Sequence, residues 1–358
     1  MGKILEYGTR NSVPVIASEP IQNVADIQLG NSLDFYGKWP KPTIIISDGP
    51  YGLSKYPGDP SSADSIIELY APHVAAWSKY ALPQTTLWFW CSELGWAEAH
   101  PLLKMHGWKY KAAHIWNKGI SHVAGNCNGD SIRGFPVVSE ICVQYVREAR
   151  LKDVEGTEIP LKVWLRREWQ RSGLPLSEAN YACGVRNAAT RKYFTQCHLW
   201  YFPPEEKMLA LAGYATENGC STTRPYFSLD GRTPLMKGQW ERLRAKWNHA
   251  HSVTNIWSEP AVRGSERIKS EGLKAFHANQ KPLNLMRRII EASSDFGDVV
   301  WEPFGGLCSG SVAAFEARRS AYAAEIIPEF FDAAAERLSE LKSSSYSRIY
   351  AKSVTATA

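Results

Sequence analysis

Three features of the 358-residue sequence predict an α/β fold, with a mostly parallel sheet and helices on both faces. Two short runs, 43–47 (TIIIS) and 85–91 (TTLWFWC), lack polar alternation, as do strands buried on both faces. Stretches with helical spacing follow them. The same strand–helix alternation returns late in the chain, after a middle segment, 148–255, that breaks it.

In order, 43–47 is the first strand, set off by Lys41 and Pro42. Residues 61–82 have helical spacing, with Ser61 or Ser62 as cap. The strand at 85–91 leads to a helix at 93–106. Strands at 108–116 and 137–146 are joined by a glycine-rich loop, 119–134. Beyond the middle segment come a helix at 282–292 and a short strand at 299–301. A glycine-rich turn at 304–310 opens a helix reaching Arg319. A strand at 321–326 and a helix at 329–341 follow. The Ser-, Thr- and Ala-rich stretch 343–358 predicts a frayed, flexible tail. There is no internal repeat.

Composition excludes several classes. With 44% apolar and 22% charged residues, the chain is neither disordered nor collagen-like. No run approaches the roughly 20 apolar residues of a membrane span, and residues 1–10 lack the apolar core of a signal peptide. The seven cysteines are scattered and form no C-x-x-C pair. Reduced thiols in a cytoplasmic protein are expected, without a disulfide framework or zinc site. His114, His198 and His277 have no partner spacing that implies a metal. The net charge of +5 is concentrated: residues 151–250 hold 15 Lys and Arg against 10 Asp and Glu, and the rest of the chain balances. That segment fits a polyanion partner, or simply a solvated basic face.

Two segments carry chemistry. At 299–310, strand, glycine turn and helix start succeed one another, so backbone can approach a ligand closely and free N–H groups face it. About twenty residues on, Glu325 ends the next strand, where a carboxylate can accept hydrogen bonds from both ribose hydroxyls of a nucleoside cofactor. The order G-x-G-x-x-G and the pair G-K-[ST] are absent, which argues against dinucleotide and ATP sites. The plain alternative is a tight turn with a solvated Glu. Near the other end, the strand at 43–47 runs into Asp48-Gly49-Pro50-Tyr51. Asp48 and the Gly49 carbonyl can accept from an exocyclic amino group, and Tyr51 offers a flat face. A simple proline turn would read the same way.

Taken together, Asp48-Gly49-Pro50-Tyr51 resembles the D-P-P-Y motif, and Glu302-Pro303-Phe304-Gly305-Gly306 the D-P-F-x-G motif, of S-adenosylmethionine-dependent DNA amino-methyltransferases. The catalytic motif precedes the cofactor motif, as in the permuted β group of this N6-adenine/N4-cytosine family. Leu29-Gly30-Asn31-Ser32, the stretch His277 to Pro282, and Glu325 resemble further segments of it. The resemblance covers about 27–147 and 253–340. It implies a methyltransferase (Rossmann-like) sheet and S-adenosylmethionine as cofactor. It implies catalytic residues Asp48, Gly49, Pro50 and Tyr51, with Asn31, Lys281, Pro282, Phe304, Gly305, Gly306 and Glu325 around the cofactor. Lys281, or the helix it opens, would face the methionine carboxylate. Three departures stand out: Gly49 for the first Pro, Asn31 for Asp, and Cys308 for a glycine. A helix N-terminus beside Cys308 would lower its pKa, but the residue is read as packing and not as a nucleophile, because amino-methylation needs no covalent intermediate.

The implied organisation is a catalytic half at 1–147, a mainly helical target-recognition insertion at 148–255, and a cofactor half at 256–342. Within the insertion, 176–194 has a helix-turn-helix look: Ser177 caps, Gly184 turns, Val185 anchors and Asn187 caps again. Arg186, Asn187, Arg191 and Lys192 are residue types that read base edges or phosphates, and Arg166 and Arg167 lie in a basic, aromatic stretch. Trp164 and Trp169 are assigned to a core. A helical hairpin packed on the protein would look similar. The expected partner is double-stranded DNA, with a restriction endonuclease and a homodimer left open. Adenine N6 is favoured slightly over cytosine N4, and a DNA-binding regulator on a decayed scaffold is the alternative of another class.

Overall fold

The computed structural model describes residues 23–52, 65–123, 134–250, 252–269, 275–277 and 279–355. Its first half contains β1 (Ala25–Leu29), β2 (Ile44–Ser47), α1 (Ile66–Tyr80), β3 (Thr86–Cys91), α2 (Glu93–Met105), β4 (Trp108–Asn117) and β5 (Ser139–Arg147). The middle holds β6 (Arg150–Lys152), β7 (Glu158–Pro160), α3 (Leu161–Arg171), α4 (Glu178–Ala182), a π-helical turn (Ala189–Tyr193) and α5 (Glu205–Asn218). Then come β8 (Ile256–Ser258), α6 (Leu283–Ser293), β9 (Val299–Glu302), α7 (Ser309–Glu316), β10 (Ser320–Glu325) and α8 (Pro328–Thr355).

Eight strands form one sheet in the order β1-β10-β9-β2-β3-β5-β4-β8. Neighbours pair parallel, except that β5 runs against both β3 and β4. The two chain ends are thus interleaved: β9 and β10 lie between β1 and β2. The expected mostly parallel sheet is present. All four residues of β2 and all six of β3 are buried. Successive side chains point to opposite faces, so both faces are covered. Around Trp301, fully buried, Tyr36 stacks at 5.1 Å and Trp39 packs edge-on at 5.4 Å. Ser92 caps α2, its side chain accepting from the Gly95 N–H.

The middle segment builds a core of its own, from Ala149 to Leu243, centred on Trp164, Trp169, Phe227 and Trp240. Trp164 and Trp169 are core residues, as expected. Besides helices this region carries the β6–β7 hairpin. Two local expectations differ. The backbone stays helical to Thr355 instead of fraying after Ser343, because 343–355 contains neither Gly nor Pro to end a helix. The five-residue β1 was not read as a strand, its alternation being too short to register. The Ser61 or Ser62 cap lies outside the described residues.

Candidate active site at the carboxyl edge of the sheet

β1, β10, β9 and β2 are adjacent and parallel, so their carboxyl ends share one edge. Open α/β sheets hold ligands at that edge. The loops leaving these four strands carry Asn31, Asp48, Phe304 and the residues after Glu325. They enclose a cavity of about 420 Å³, walled also by His73, Lys281 and Phe330. The size suits a small-molecule site. Asp48 thus lines the same hollow as Phe304 and Glu325 although more than 250 residues separate it from either in sequence. Pro282 starts α6 and is not part of the wall.

One end of the cavity suits a nucleoside. Glu325 accepts from Gly306 N–H (2.6 Å) through Oε2 and from Ile327 N–H (2.8 Å) through Oε1. A carboxylate has about four acceptor positions, which leaves capacity for ligand hydroxyls. Gly306 sits at φ +51°, where side chains are strained, and a Cβ on Gly305 would come within 3.0 Å of the Ala324 carbonyl. Asn31 caps a short helical turn, its Oδ1 accepting from Leu33 N–H at 3.0 Å. The Phe304 ring packs against His73 (4.9 Å) and Tyr70 (5.7 Å). Burial lowers His73 to about 4, keeping it neutral near pH 7. Cys308 is packing, as expected, but it is not acidified: its buried thiol is raised well above the ordinary cysteine range, by desolvation first and then by Glu302 and Glu325. Desolvation outweighs the helix terminus, and the residue is inert packing in a left-handed conformation, φ +52°.

The other end is a row of charges. Lys281 is 2% exposed, and its ammonium lies 2.7 Å from Asp48 Oδ1 and 3.3 Å from Glu140 Oε2. Lys118 pairs with the second Glu140 oxygen. The Tyr51 hydroxyl reaches Asp48 Oδ1 at 2.9 Å and Glu140 Oε2 at 3.3 Å. Burial opposes charge at both Lys281 and Glu140, but the partners prevail. Lys281 is held above the ordinary lysine range and Glu140 below the carboxylate range, so both stay ionised. Tyr51 is largely buried, lies on the cavity wall and has Lys281 over its ring at 5.4 Å. The sequence reading did not include Glu140 or Lys118. The available signal was a single acid inside the mostly apolar strand SEICVQYV.

Gly49, where a proline is usual, has a steric reason. A Cβ there would stand 2.6 Å from the Tyr70 hydroxyl and 2.7 Å from the Phe304 ring. Tyr70 in turn donates to the Pro50 carbonyl at 3.1 Å. Gly49→Ala is expected to destabilise the fold by about 1–3 kcal/mol through overpacking, with Tyr70→Phe recovering part of it. Thermal unfolding of the single and double variants checks this; a Gly49→Ala protein of native stability would contradict it.

On the cavity wall, Glu302 is 3% exposed. It accepts from Gly310 N–H (2.8 Å), Ser311 N–H (2.7 Å) and the Ser311 hydroxyl (2.6 Å), capping α7. Burial raises it to about 7, against the pull of these donors.

The candidate DNA residues divide. Arg186, Asn187, Arg191 and Lys192 are exposed. Arg166 donates to the Phe194 carbonyl, and Arg167 pairs with Asp153 at 2.5 Å, so both have internal partners. Gly184 makes the turn at φ +62°. The expected caps differ: Ser177 makes no side-chain cap bond, and Asn180, not Asn187, receives the Thr190 N–H. The second element is the short π turn, because Tyr193 and Phe194 plug into the core and stop it. His114 is buried between Trp88 and Trp257, whereas His277 lies on the cavity wall. Among the described residues, no cluster of three His, Cys, Asp or Glu is placed to hold a metal, and no helix is long and apolar enough to cross a membrane.

Fold and site together define an α/β protein with a small-molecule-sized cavity whose wall carries a carboxylate–lysine pair. The N6/N4 DNA methylase family profile matches residues 43–336, and the chain belongs to this family. It is 35% identical over 95 residues to the type II methyltransferase M.HinfI of Haemophilus influenzae, 26% of each chain. It is also 35% identical over 92 residues to the DNA adenine methyltransferase YhdJ of Escherichia coli K12, 26% of this chain and 30% of that one. These alignments therefore span under a third of either relative. A crystal structure of the M1.HpyAVI–SAM complex superposes with TM-score 0.49 at 15% identity, covering 87% of this chain and 98% of that one.

Proposed function

We propose that the protein is a DNA amino-methyltransferase of the permuted β group, moving a methyl group from S-adenosylmethionine to the exocyclic amino nitrogen of a base in duplex DNA. The single observation that carries this is the convergence of Asp48 with Phe304 and Glu325 on one cavity. The residues fit the cofactor. Glu325 keeps acceptor capacity for the ribose, Phe304 offers a ring to the adenine, and Gly305 and Gly306 let backbone come close. When bound, the cofactor supplies a methyl group on positively charged sulfur.

The chain's own part is to prepare the nitrogen. An aromatic amino group is a weak nucleophile because its lone pair is delocalised into the ring. Asp48 and the Gly49 carbonyl accept its N–H bonds, favour a tetrahedral nitrogen and stabilise the positive charge that develops. The target base must leave the helix to reach this buried point. Adenine N6 is the slightly favoured target, in line with the relative named an adenine methyltransferase; cytosine N4 needs the same acceptors. Residues 148–255, with their excess basic charge and separate core, are assigned to DNA-sequence recognition, read by Arg186, Asn187, Arg191 and Lys192. Domain limits at 147 and 255 follow. A restriction endonuclease acting on the same site belongs to this reading, as do a homodimer and a cytoplasmic location.

Expressing the protein in a methylation-free host and sequencing its DNA for modified bases tests the reading. One methylated motif is expected, naming base and site together. Changing Arg186, Asn187 and Arg191 to Ala is expected to relax that motif by about 1–3 kcal/mol per lost base contact. No modified base in any motif would overturn the function; an unchanged motif in the triple variant would remove these residues as readers.

A further inference from the structure

We infer that Glu140 is a positioning residue of this reaction: acting through Lys281, it decides which oxygen of Asp48 is left to receive the amino group. The inference rests on the function proposed above. β5 alone runs against its neighbours, so its first residues stand at the carboxyl edge beside Asp48. That is how an acid at the second position of a strand reaches the site.

Lys281 and the Tyr51 hydroxyl both contact Asp48 at Oδ1, 2.7 and 2.9 Å away. Among the described residues nothing hydrogen-bonds to Oδ2, and Asp48 lines the cavity, so Oδ2 is the oxygen left for the amino group. Lys281 keeps to one oxygen because Glu140 Oε2 draws it sideways at 3.3 Å. Lys118 anchors Glu140 by its other oxygen. The four charges alternate in sign along Lys118, Glu140, Lys281 and Asp48, so each buried charge has an opposite neighbour. Without the charge of Glu140, Asp48 is the one anion left beside the buried ammonium among the described residues. The ammonium then bridges both carboxylate oxygens and competes with the amino group for Oδ2. The cofactor end of the cavity, at Glu325 and Phe304, is not touched by this change.

The test compares Glu140→Gln, Glu140→Asp and Lys118→Met with the native protein. Each is assayed for kcat and KM on methylatable duplex DNA, for S-adenosylmethionine Kd by calorimetry and for thermal unfolding. Glu140→Gln is expected to lower kcat about 100-fold, the scale of a misplaced reacting group, with cofactor Kd within about twofold of native. Glu140→Asp is expected to recover part of that loss, and Lys118→Met to lower kcat about tenfold. A Glu140→Gln enzyme with native kcat overturns the inference, as does a loss of kcat matched by an equal loss of cofactor affinity. If Glu140→Gln does not fold, Lys118→Met decides: native kcat overturns the inference and a selective kcat loss supports it. A native protein that binds the cofactor but methylates no DNA overturns the function itself, and the inference with it.

Discussion

Asp48→Ala is expected to abolish methyl transfer, by at least about 1000-fold in kcat, while S-adenosylmethionine still binds. Two effects add. The base loses the acceptor that turns its flat amino group into a nucleophile. The buried Lys281 loses its nearer partner, 2.7 Å away, and retains Glu140. Breaking a buried pair by removing one member typically costs about 3–5 kcal/mol, so part of the Ala effect is structural. Asp48→Asn separates the two. It keeps an oxygen for Lys281 and the volume of the side chain, but its amide no longer offers a charged acceptor. Single-turnover methylation with radiolabelled cofactor, alongside calorimetric Kd values, gives the answer. Asp48→Asn should be nearly as inactive as Asp48→Ala and considerably more stable. A purified Asp48→Asn protein with native turnover would falsify the assignment of Asp48.

The second large effect concerns stability against pH. Glu302 is raised to about 7 in the folded protein, by burial first, from an ordinary carboxylate value near 4.5. Between those values the folded state holds a proton that the unfolded chain has released. Stability from this residue is therefore full below about pH 4.5 and is lost as pH rises through 7. The size is about 2–3 kcal/mol between pH 5 and pH 8. Glu302→Gln cannot ionise and lacks this dependence. Chemical denaturation of both proteins across pH 5–8 is expected to show the native protein losing ground to the Gln variant by that amount. Parallel curves would mean that Glu302 is ionised throughout, its charge carried by Gly310 and Ser311.

Much of this molecule was legible from its residues in order. Unbroken apolar runs such as TIIIS and TLWFWC admit only buried strands once their length rules out helices. Glycines at 305 and 306, with an acid ending the next strand, point to a nucleoside pocket because backbone approach and ribose recognition are local properties. These features lie within one strand and its following turn, which is why a linear reading reaches them.

What the linear reading could not reach depends on which strands become neighbours. Glu140 is one acid in a buried strand until the reversed direction of β5 sets it beside Lys281 and Asp48. Lys281 lies on the cavity wall and pairs with both Asp48 and Glu140, a contact among three distant segments that residue order does not show. Cys308 lies at a helix start, which would acidify it, yet enclosure by neighbouring elements drives its thiol the other way. Sequence thus determined the elements and the chemistry each could offer. Tertiary structure decided pairing and burial, and with them the charge each group carries, because those depend on distances between residues far apart in the chain.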